Sequence, residues 1–209
     1  MSLPAGVERR QFDGESSLAT RGEPAYGEPT RDGWRRWDPH RSKLAALFEH
    51  GVDTGLAAGD GVLYLGAASG TTVGHVADFA GPTYAVEFAP RPARDLVAVA
   101  ADRPNLFPLL ADARRPETYA HVVESGLDAV VQDVATRGQA RVASLNRRFL
   151  ADDGRLVLAV KARSEDVTRA PEAVFDEVLD ELADDFDVLA TADLAPYHAD
   201  HLGVVATPG

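Results

Sequence analysis

Short apolar runs alternate with amphipathic segments along the chain from residue 61 onward. The runs predict strands at residues 62–65, 83–87, 106–110, 129–133, 155–161, 186–189 and 202–206. Apolar residues three or four positions apart predict helices, marked by Val73, Val76 and Ala77, by Leu96, Val97 and Ala100, by Val142, Leu145 and Phe149, and by Val174, Phe175, Val178, Leu179 and Leu182. This alternation indicates an α/β fold whose sheet is mostly parallel, with helices on both faces.

The N-terminal part of the chain has a different pattern. Residues 1–38 are rich in Gly, Pro, Arg and Glu, which predicts turns and short strands around Phe12 and Tyr26. Leu44, Leu47 and Phe48 then lie at positions i, i+3 and i+4, which predicts a helix that ends near Gly51. We therefore predict a small β-rich unit with a connecting helix at residues 1–53, and a second domain at residues 54–209.

The composition is that of an ordinary globular protein, with 45% hydrophobic and 26% charged residues. Cysteine is absent, which excludes disulfides, thiolate metal sites and a cysteine nucleophile. No uninterrupted apolar run approaches the roughly 20 residues that cross a bilayer. Residues 1–10 lack a signal-type apolar region. We expect a soluble, cytoplasmic protein.

The charged residues are dominated by a few types. The 33 acidic and 21 basic residues give a net charge of -12, which excludes a globally basic nucleic-acid binder. The acids are mostly Asp, and all basic residues except Lys43 and Lys161 are Arg. At about 1 M salt the Debye length falls to roughly 3 Å, so self-repulsion of an acidic surface is screened. The composition therefore suggests a halophilic protein, and compositional drift toward Arg is the alternative.

The scarcity of lysine singles out Lys43 and Lys161. Arginine can replace lysine as a surface cation, but its pKa above about 12 prevents it from acting as a base. A position that remains lysine is therefore either a base or an ordinary solvated ammonium retained by chance.

The residues that follow the predicted strands form the candidate site, because ligands of such sheets bind at the carboxyl ends of strands. Gly66 and Gly70 allow close approach of the backbone, and the helix that follows offers free N–H groups to an anion. The turn matches neither the dinucleotide-binding pattern nor a P-loop. A tight structural turn is the alternative interpretation.

Carboxylates follow the next two predicted strands. Glu87 is placed to accept hydrogen bonds from a ribose diol, and Asp112 could recognise an adenine amino group. Either acid could instead be a solvated end of a strand. Together with the glycine turn they favour a cofactor that carries adenosine and an amino-acid carboxylate, a description that S-adenosylmethionine fits.

Asp133 and Lys161 end adjacent predicted strands, and Lys43 begins the helix that precedes the second domain. An acid beside a lysine is usually a structural ion pair, and the alternative is a proton-transfer unit. If both lysines meet in one pocket, burial and mutual repulsion favour loss of one ammonium proton. Asp133 would then orient a base able to deprotonate a weakly acidic hydroxyl.

The remaining candidates are aromatic and imidazole side chains. The six histidines are scattered without metal-ligand spacing, so we expect no metal site. His198 and His201, near the last strand, are most simply explained as surface or packed histidines. Trp34 and Trp37 stand among arginines, where they could stack RNA bases or anchor the N-terminal unit.

Five stretches of the sequence together form a distinctive set. They are Trp-Arg-Arg-Trp-Asp-Pro-His-Arg-Ser-Lys-Leu-Ala-Ala at 34–46, Leu-Tyr-Leu-Gly-Ala-Ala-Ser-Gly-Thr-Thr at 63–72, Tyr-Ala-Val-Glu-Phe at 84–88 with Pro90 and Arg91, Asp-Ala-Arg at 112–114, and Asp-Val-Ala at 133–135. The set resembles archaeal members of the fibrillarin family, from about residue 7 to residue 206. The resemblance implies a Rossmann-like methyltransferase fold with a seven-stranded, mostly parallel sheet whose last strand is antiparallel.

The resemblance implies S-adenosylmethionine-dependent 2′-O-ribose methylation of ribosomal and transfer RNA. Family members work in a box C/D ribonucleoprotein, where guide RNA selects the target and a Nop-type scaffold protein brings the enzyme to it. A kink-turn-binding, ribosomal-type protein belongs to the same particle. A catalytic subunit delivered by such partners needs no basic groove of its own, which reconciles the acidic charge with an RNA substrate.

The resemblance also assigns roles to individual residues. The implied catalytic residues are Lys43, Asp133, Lys161 and His201. The implied cofactor-binding residues are Gly66, Ala67, Ser69 and Gly70 in the turn, Thr71 and Thr72 by the methionine moiety, Glu87 and Phe88 at the ribose and adenine, Asp112 and Ala113 at the adenine, and Asp133, Val134, Ala135 and Thr136 near the sulfonium. Thr136 departs from the Gln that family members often carry.

Three other functions are compatible with these residues. A protein (glutamine) methyltransferase or a small-molecule methyltransferase would use the same cofactor pocket. A nicotinamide oxidoreductase would need a diphosphate-binding turn, which the sequence lacks. A non-catalytic scaffold subunit would keep the fold and tolerate loss of both lysines.

The acidic composition predicts that stability depends on salt. We expect the free energy of unfolding to rise as KCl is increased from dilute buffer to molar concentrations, because salt screens repulsion among the excess carboxylates. Urea unfolding followed by circular dichroism at fixed pH measures this dependence. A fold equally stable in dilute buffer would remove the hypothesis of salt adaptation.

Overall fold

The computed structural model describes residues 3–209, which begin with a small antiparallel sheet. Its strands are β1 (Val7–Phe12), β2 (Glu15–Arg21), β3 (Thr30–Arg31) and β4 (Trp34–Trp37), paired in the order β1-β2-β4-β3. Of the predicted turns and short strands, a strand is present at Phe12, whereas Tyr26 lies in a loop rather than in a strand. The carboxylate of Glu28 accepts hydrogen bonds from the backbone N–H groups of Ala25 and Tyr26, which stabilises a turn instead.

The connecting helix is α1 (Lys43–Glu49), as the spacing of its apolar residues predicts. The hydroxyl of Ser42 accepts a hydrogen bond from the Ala45 N–H at 3.2 Å, which satisfies one of the free donors at the helix N-terminus. Lys43 is thereby the first residue of a capped helix, and the cap fixes where its backbone lies.

The second sheet has seven strands. They are β5 (Val62–Leu65), β6 (Thr83–Glu87), β7 (Leu106–Leu110), β8 (Leu127–Gln132), β9 (Leu150–Lys161), β10 (Phe186–Asp193) and β11 (His201–Pro208). They are ordered β10-β11-β9-β8-β5-β6-β7, and β11 runs antiparallel to both of its neighbours. The mostly parallel sheet with an antiparallel last strand is therefore confirmed.

Helices cover both faces of this sheet. They are α2 (Thr71–Ala77), α3 (Pro90–Ala100), α4 (Gln139–Asn146), α5 (Ala162–Glu165) and α6 (Pro171–Leu182). Side chains alternate across each strand, so Leu63 and Leu65 of β5 join a core beneath α4 and α6, whereas Val62 and Tyr64 join a core with α1, α2 and α3. The sheet thus separates two hydrophobic cores.

The structure corrects three details of the sequence prediction. The strand predicted at 155–161 begins at Leu150, because the chain continues through Gly154 without a turn. Val97 and Leu145 are 59% and 37% exposed, so neither belongs to the buried face of its helix. Phe149 lies in a short 3₁₀ turn after α4, although it is buried as predicted. Val97 and Leu145 each lie one position from the face that packs, since their neighbours Leu96 and Asn146 are completely buried.

The N-terminal sheet is attached to the second sheet through α2. Trp37 is completely buried, and its ring stacks on the imidazole of His75 with 4.8 Å between ring centroids. The interpretation of this tryptophan as an anchor is confirmed. Trp34 is only 5% exposed, because the guanidinium groups of Arg10 and Arg21 lie 4.4 and 4.9 Å from its ring centroid. Its ring is therefore covered by cations and is not presented to a base.

A network of buried charges lies at the same junction. Arg35 of β4 forms ion pairs with Glu28 and with Asp78, and its Nε lies 2.6 Å from Asp78 Oδ2. Arg103 approaches the other oxygen of Asp78 at 3.0 Å. Two cations are thus matched by two carboxylates in the interior. Removal of one partner would leave an uncompensated charge. At a buried pair this typically lowers the free energy of unfolding by about 3–5 kcal/mol.

His75 is held neutral inside this junction. Its Nδ1 lies 2.7 Å from the Thr20 hydroxyl and its Nε2 lies 3.1 Å from the Tyr26 hydroxyl. Burial, reinforced by the charges of Arg35 and Arg103, sets the pKa of His75 well below its ordinary value. A protonated imidazole would add a third cation beside the two arginines.

No helix among residues 3–209 combines the length and apolar character that crossing a membrane requires.

The state of His75 predicts acid sensitivity of the fold. Below about pH 6.5 the unfolded chain binds a proton at this position and the folded chain does not, so the free energy of unfolding falls as pH is lowered. The contribution of one such group is at most about 1.4 kcal/mol per pH unit. We expect His75→Gln to lose less stability than the parent between pH 7 and pH 5 in urea unfolding at constant salt. Identical pH slopes for the two proteins would contradict this assignment.

Candidate active site

The loops that follow β5 and β8 touch each other at the carboxyl end of the sheet. Gly66 has a φ of +82°, a conformation that side chains other than glycine rarely adopt. A Cβ atom at this position would overlap the carbonyl oxygen of Asp133 and lie 2.9 Å from its carbonyl carbon. Glycine therefore allows the loop after β5 to pack directly against Asp133, the first residue after β8.

Asp133 brings the two lysines of the chain together. Lys161 Nζ lies 2.8 Å from Asp133 Oδ1 and donates a hydrogen bond to the Asp133 carbonyl oxygen at 3.3 Å. Lys43 Nζ donates to Asp133 Oδ2 at 3.2 Å. Lys161 arrives at the end of β9 and Lys43 on the first turn of α1, so the tertiary fold unites positions 28 and 90 residues away from Asp133.

Asp133 is ionised in this arrangement. Burial disfavours the charged carboxylate, but the ammonium groups of Lys161 and Lys43 outweigh that effect, and the pKa of Asp133 is lower than its ordinary value. The side chains of Lys43, Asp133 and Lys161 keep 19%, 16% and 16% exposure, which leaves the cluster open to a substrate. Two ammonium groups and one carboxylate give the cluster a net positive charge, and loss of one lysine proton neutralises it.

His201 lies at the edge of this cluster. It begins β11, directly opposite Lys161 of β9 in the antiparallel register. Its Nδ1 lies 2.6 Å from the Ala199 carbonyl oxygen, which assigns the ring proton to Nδ1 and leaves Nε2 as an acceptor. Burial and the charges of Lys43 and Lys161 lower the pKa of His201 against the opposing effect of that hydrogen bond. The imidazole is therefore neutral at neutral pH.

A cleft of about 410 Å³ extends from Lys161 and Asp133 along the ends of β5, β6 and β7. Glu87 lies on its wall. One carboxylate oxygen accepts from the Ala68 N–H at 2.8 Å, and the other accepts from the Ala89 N–H at 2.7 Å. Each oxygen keeps a further lone pair for a ligand hydroxyl. These hydrogen bonds hold the carboxylate in place before any ligand arrives.

The far side of the cleft combines a fixed acid with an exposed ring. Arg114 donates to both oxygens of Asp112, at 2.9 and 2.6 Å, and these hydrogen bonds lower the pKa of Asp112. The Arg114 guanidinium also lies 5.9 Å from the ring centroid of Phe88. Phe88 is 66% exposed, an unusual state for a large apolar side chain. A planar apolar group of a ligand could cover it.

The predicted residues divide into two groups. The cleft is lined by nine of the predicted cofactor-binding residues, namely Gly66, Glu87, Phe88, Asp112, Ala113, Asp133, Val134, Ala135 and Thr136. The other five predicted residues, Ala67, Ser69, Gly70, Thr71 and Thr72, belong to the turn and to the start of α2 and do not line it. Ser69 lines a separate surface hollow beside Tyr26, and Gly70 packs against Val99 of α3.

Sequence reasoning missed two polar residues at the site. Arg114 lines the cleft and fixes Asp112, whereas in the sequence it stands out only as part of the Asp-Ala-Arg motif. Gln139 is completely buried and contacts the backbone of Lys161. No local pattern distinguishes a buried glutamine at a helix start from an exposed one, so the sequence contains no signal for this contact.

Among residues 3–209, no group of three His, Cys, Asp or Glu side chains is arranged to hold a metal ion.

Comparison with known proteins gives a consistent result. The family model described as Fibrillarin matches residues 10–208. A fibrillarin-like rRNA/tRNA 2′-O-methyltransferase of Halobacterium salinarum is 74% identical over 209 residues, which cover 100% of both chains. A relative this similar from Halobacterium salinarum favours the halophilic interpretation of the composition.

Two solved structures resemble the whole chain. A fibrillarin/Nop5p complex contains a chain of 39% identity that superposes with a TM-score of 0.90, and the match covers 100% of both chains. Aeropyrum pernix fibrillarin in complex with natively bound S-adenosyl-L-methionine is 40% identical with a TM-score of 0.85, and the match covers 97% of this chain and 94% of that one.

The contact between Gly66 and Asp133 generates a prediction for Gly66→Ala. Alanine at a positive φ costs about 1–2 kcal/mol, and we expect a further loss because its Cβ displaces Asp133. Gly126 is a matched control, since its φ is +74° but a Cβ there meets no atom within 4 Å. Urea unfolding and calorimetric binding of S-adenosylmethionine should therefore show a larger loss for Gly66→Ala than for Gly126→Ala. Equal behaviour of the two variants would exclude a special role for this contact.

Proposed function

Because the chain belongs to the fibrillarin family, we propose that it is an S-adenosylmethionine-dependent 2′-O-ribose methyltransferase that acts on ribosomal and transfer RNA. The observation that carries this proposal is the cluster of Lys43, Asp133 and Lys161, in which Asp133 and Lys161 line one end of the cleft and Lys43 contacts Asp133. Such a cluster can remove a proton from an alcohol and hold the resulting oxygen beside a bound methyl donor.

The cleft fits the cofactor in size and in chemistry. Its volume of about 410 Å³ lies in the range of small-molecule pockets, roughly 300–1,000 Å³. Glu87 would accept hydrogen bonds from the ribose diol, Asp112 would receive the adenine amino group, and Phe88 would lie against the adenine plane. S-adenosylmethionine, when bound, supplies an electrophilic methyl group on a positively charged sulfur.

The residues of the chain perform the acid–base part of the reaction. Lys161 first releases its ammonium proton to solvent, and its amine then accepts the proton of the ribose 2′-hydroxyl, while Asp133 holds the lysine in position before and after the transfer. Lys43 stays an ammonium that orients the ribose and stabilises the developing negative charge on oxygen. His201, neutral with a free Nε2, offers a hydrogen-bond acceptor at the same edge.

The proposal extends to the partners of the enzyme. The chain superposes over its full length on the fibrillarin of a complex with Nop5p, which supports binding to a Nop-type scaffold protein. We infer that guide RNA and a kink-turn-binding protein complete a box C/D particle. The net charge of -12 supports delivery by partners, because a protein this acidic does not attract an RNA backbone by itself.

The base assignment predicts a difference between the two lysines. Lys161→Arg keeps the positive charge beside Asp133 but removes a group that can give up its proton, so methyl transfer should be abolished. Lys43→Arg keeps the positioning charge and should retain measurable turnover. Transfer of labelled methyl groups to a target RNA, in a particle reconstituted with guide RNA and scaffold proteins at high salt, measures both variants.

Two controls make this experiment decisive. Calorimetry should show that both variants bind S-adenosylmethionine like the parent, because neither substitution changes Glu87, Phe88 or Asp112. A target with a 2′-deoxy nucleotide should receive no methyl group. Full turnover by Lys161→Arg would remove the base role, and methylation of a peptide or of the deoxy target would favour a protein or small-molecule methyltransferase instead.

A further inference from the structure

The carboxyl end of β9 extends beyond the end of its neighbour β8. Its pairing with β8 ends at Gln132 and Leu158, where the chain of β8 turns away into the loop that contains Asp133. On the other side, pairing with β11 continues to His201 and Lys161. The backbone of Lys161 therefore has a strand partner on one side only.

The side-chain amide of Gln139 occupies the missing partner position. The Lys161 N–H donates to Gln139 Oε1 at 2.9 Å, and Gln139 Nε2 donates to the Lys161 carbonyl oxygen at 3.1 Å. An antiparallel strand would exchange the same pair of hydrogen bonds with a residue opposite it. Because a backbone N–H only donates, this contact also fixes which end of the amide is oxygen.

Gln139 is itself held by the surrounding structure. Its Nε2 also donates to Glu165 Oε1 at 3.0 Å, and its backbone N–H donates to the same carboxylate oxygen at 2.6 Å. Its carbonyl oxygen accepts from Gln132 Nε2 at 2.8 Å. Gln139 has no exposed surface, so water cannot replace these hydrogen bonds without rearrangement. The amide is a rigid support rather than a mobile side chain.

We propose that Gln139 is a positioning residue for Lys161, holding its backbone so that its Nζ remains against Asp133. A lysine has four rotatable side-chain bonds, so the location of its amine depends on where its backbone is fixed. Without the amide, the end of β9 would be tethered by β11 alone. The proposal rests on the proposed function only for the task assigned to Lys161, since the contacts themselves are independent of it.

The first test compares Gln139→Met with Asn105→Leu, a control that loses the same number of side-chain amide hydrogen bonds. Methionine has a similar size but cannot form the amide hydrogen bonds. Asn105 is the control because its amide also donates to backbone carbonyls, those of Ala77, Ala80 and Gly81, and it precedes β7 at the opposite end of the sheet. Asn105→Leu should lower stability while leaving the methyl-transfer rate of the folded protein unchanged.

We expect Gln139→Met to lower kcat by up to about 100-fold, the effect of displacing a catalytic group by roughly 1 Å. The KM for target RNA and the affinity for S-adenosylmethionine should stay at the values of the parent, because Gln139 does not line the cleft. A folded Gln139→Met with parental kcat would overturn the proposal. A loss of cofactor affinity as large as the loss of kcat would also overturn it, since it would show a general structural role.

The second test needs no RNA and no methylation. Lys43 and Lys161 are the only lysines of the chain, so acetic anhydride labelling followed by peptide mass spectrometry reports on each separately. In the parent, contact with Asp133 should protect Lys161. In Gln139→Met, the labelling rate of Lys161 should rise relative to that of Lys43, whereas Asn105→Leu should leave the ratio unchanged. An unchanged ratio in the folded Gln139→Met would overturn the proposal.

The two tests distinguish failure of this inference from failure of the proposed function. If the parent particle does not methylate a 2′-hydroxyl, the proposed function fails, and labelling still decides whether Gln139 positions Lys161. If Gln139→Met does not fold, Gln139→Asn takes its place in both measurements. Asparagine retains the amide but is one methylene shorter, so it cannot bridge both backbone groups of Lys161, and the same changes in kcat and labelling are expected.

Discussion

The candidate site depends on one carboxylate that two lysines share. Asp133 is largely buried in the loop that follows β8, where a charge is costly unless opposite charges compensate it. Lys43, at the start of α1, and Lys161, at the end of β9, supply that compensation. Because neither lysine has another carboxylate partner among residues 3–209, the three groups form one electrostatic unit. Because Gly66 has no Cβ, Asp133 can pack against the loop after β5, and both residues line the cleft.

The N-terminal unit contributes to the site through packing. Trp37 and Leu18 of the small sheet belong to the same hydrophobic core as α1 and α2. The first residue of α1 is Lys43, so the core that attaches the small sheet also places one of the two ammonium groups. Balanced ion pairs around Asp78 and a neutral His75 then complete the junction without an unpaired charge. The division at residue 53 remains a prediction, and the two parts share one core.

Charge is distributed differently on the surface and at the site. The chain as a whole carries a net charge of -12, whereas the three groups around Asp133 sum to a positive charge when both lysines are protonated. A local cation in an acidic protein suits an enzyme that must stabilise oxygen anions at one point without attracting nucleic acid elsewhere. This contrast links the composition of the chain with the proposal that partners deliver the RNA.

The sequence alone determined the order of strands and helices, the glycine turn and the acidic strand ends, because hydrophobic periodicity and turn chemistry are local properties. The rarity of lysine also singles out Lys43 and Lys161. Only the tertiary structure decided that both lysines meet Asp133, and that Gln139 replaces a strand beside Lys161. Those contacts join residues 22 to 90 positions apart, and their partners are selected by strand order and strand length, which no short window of sequence contains.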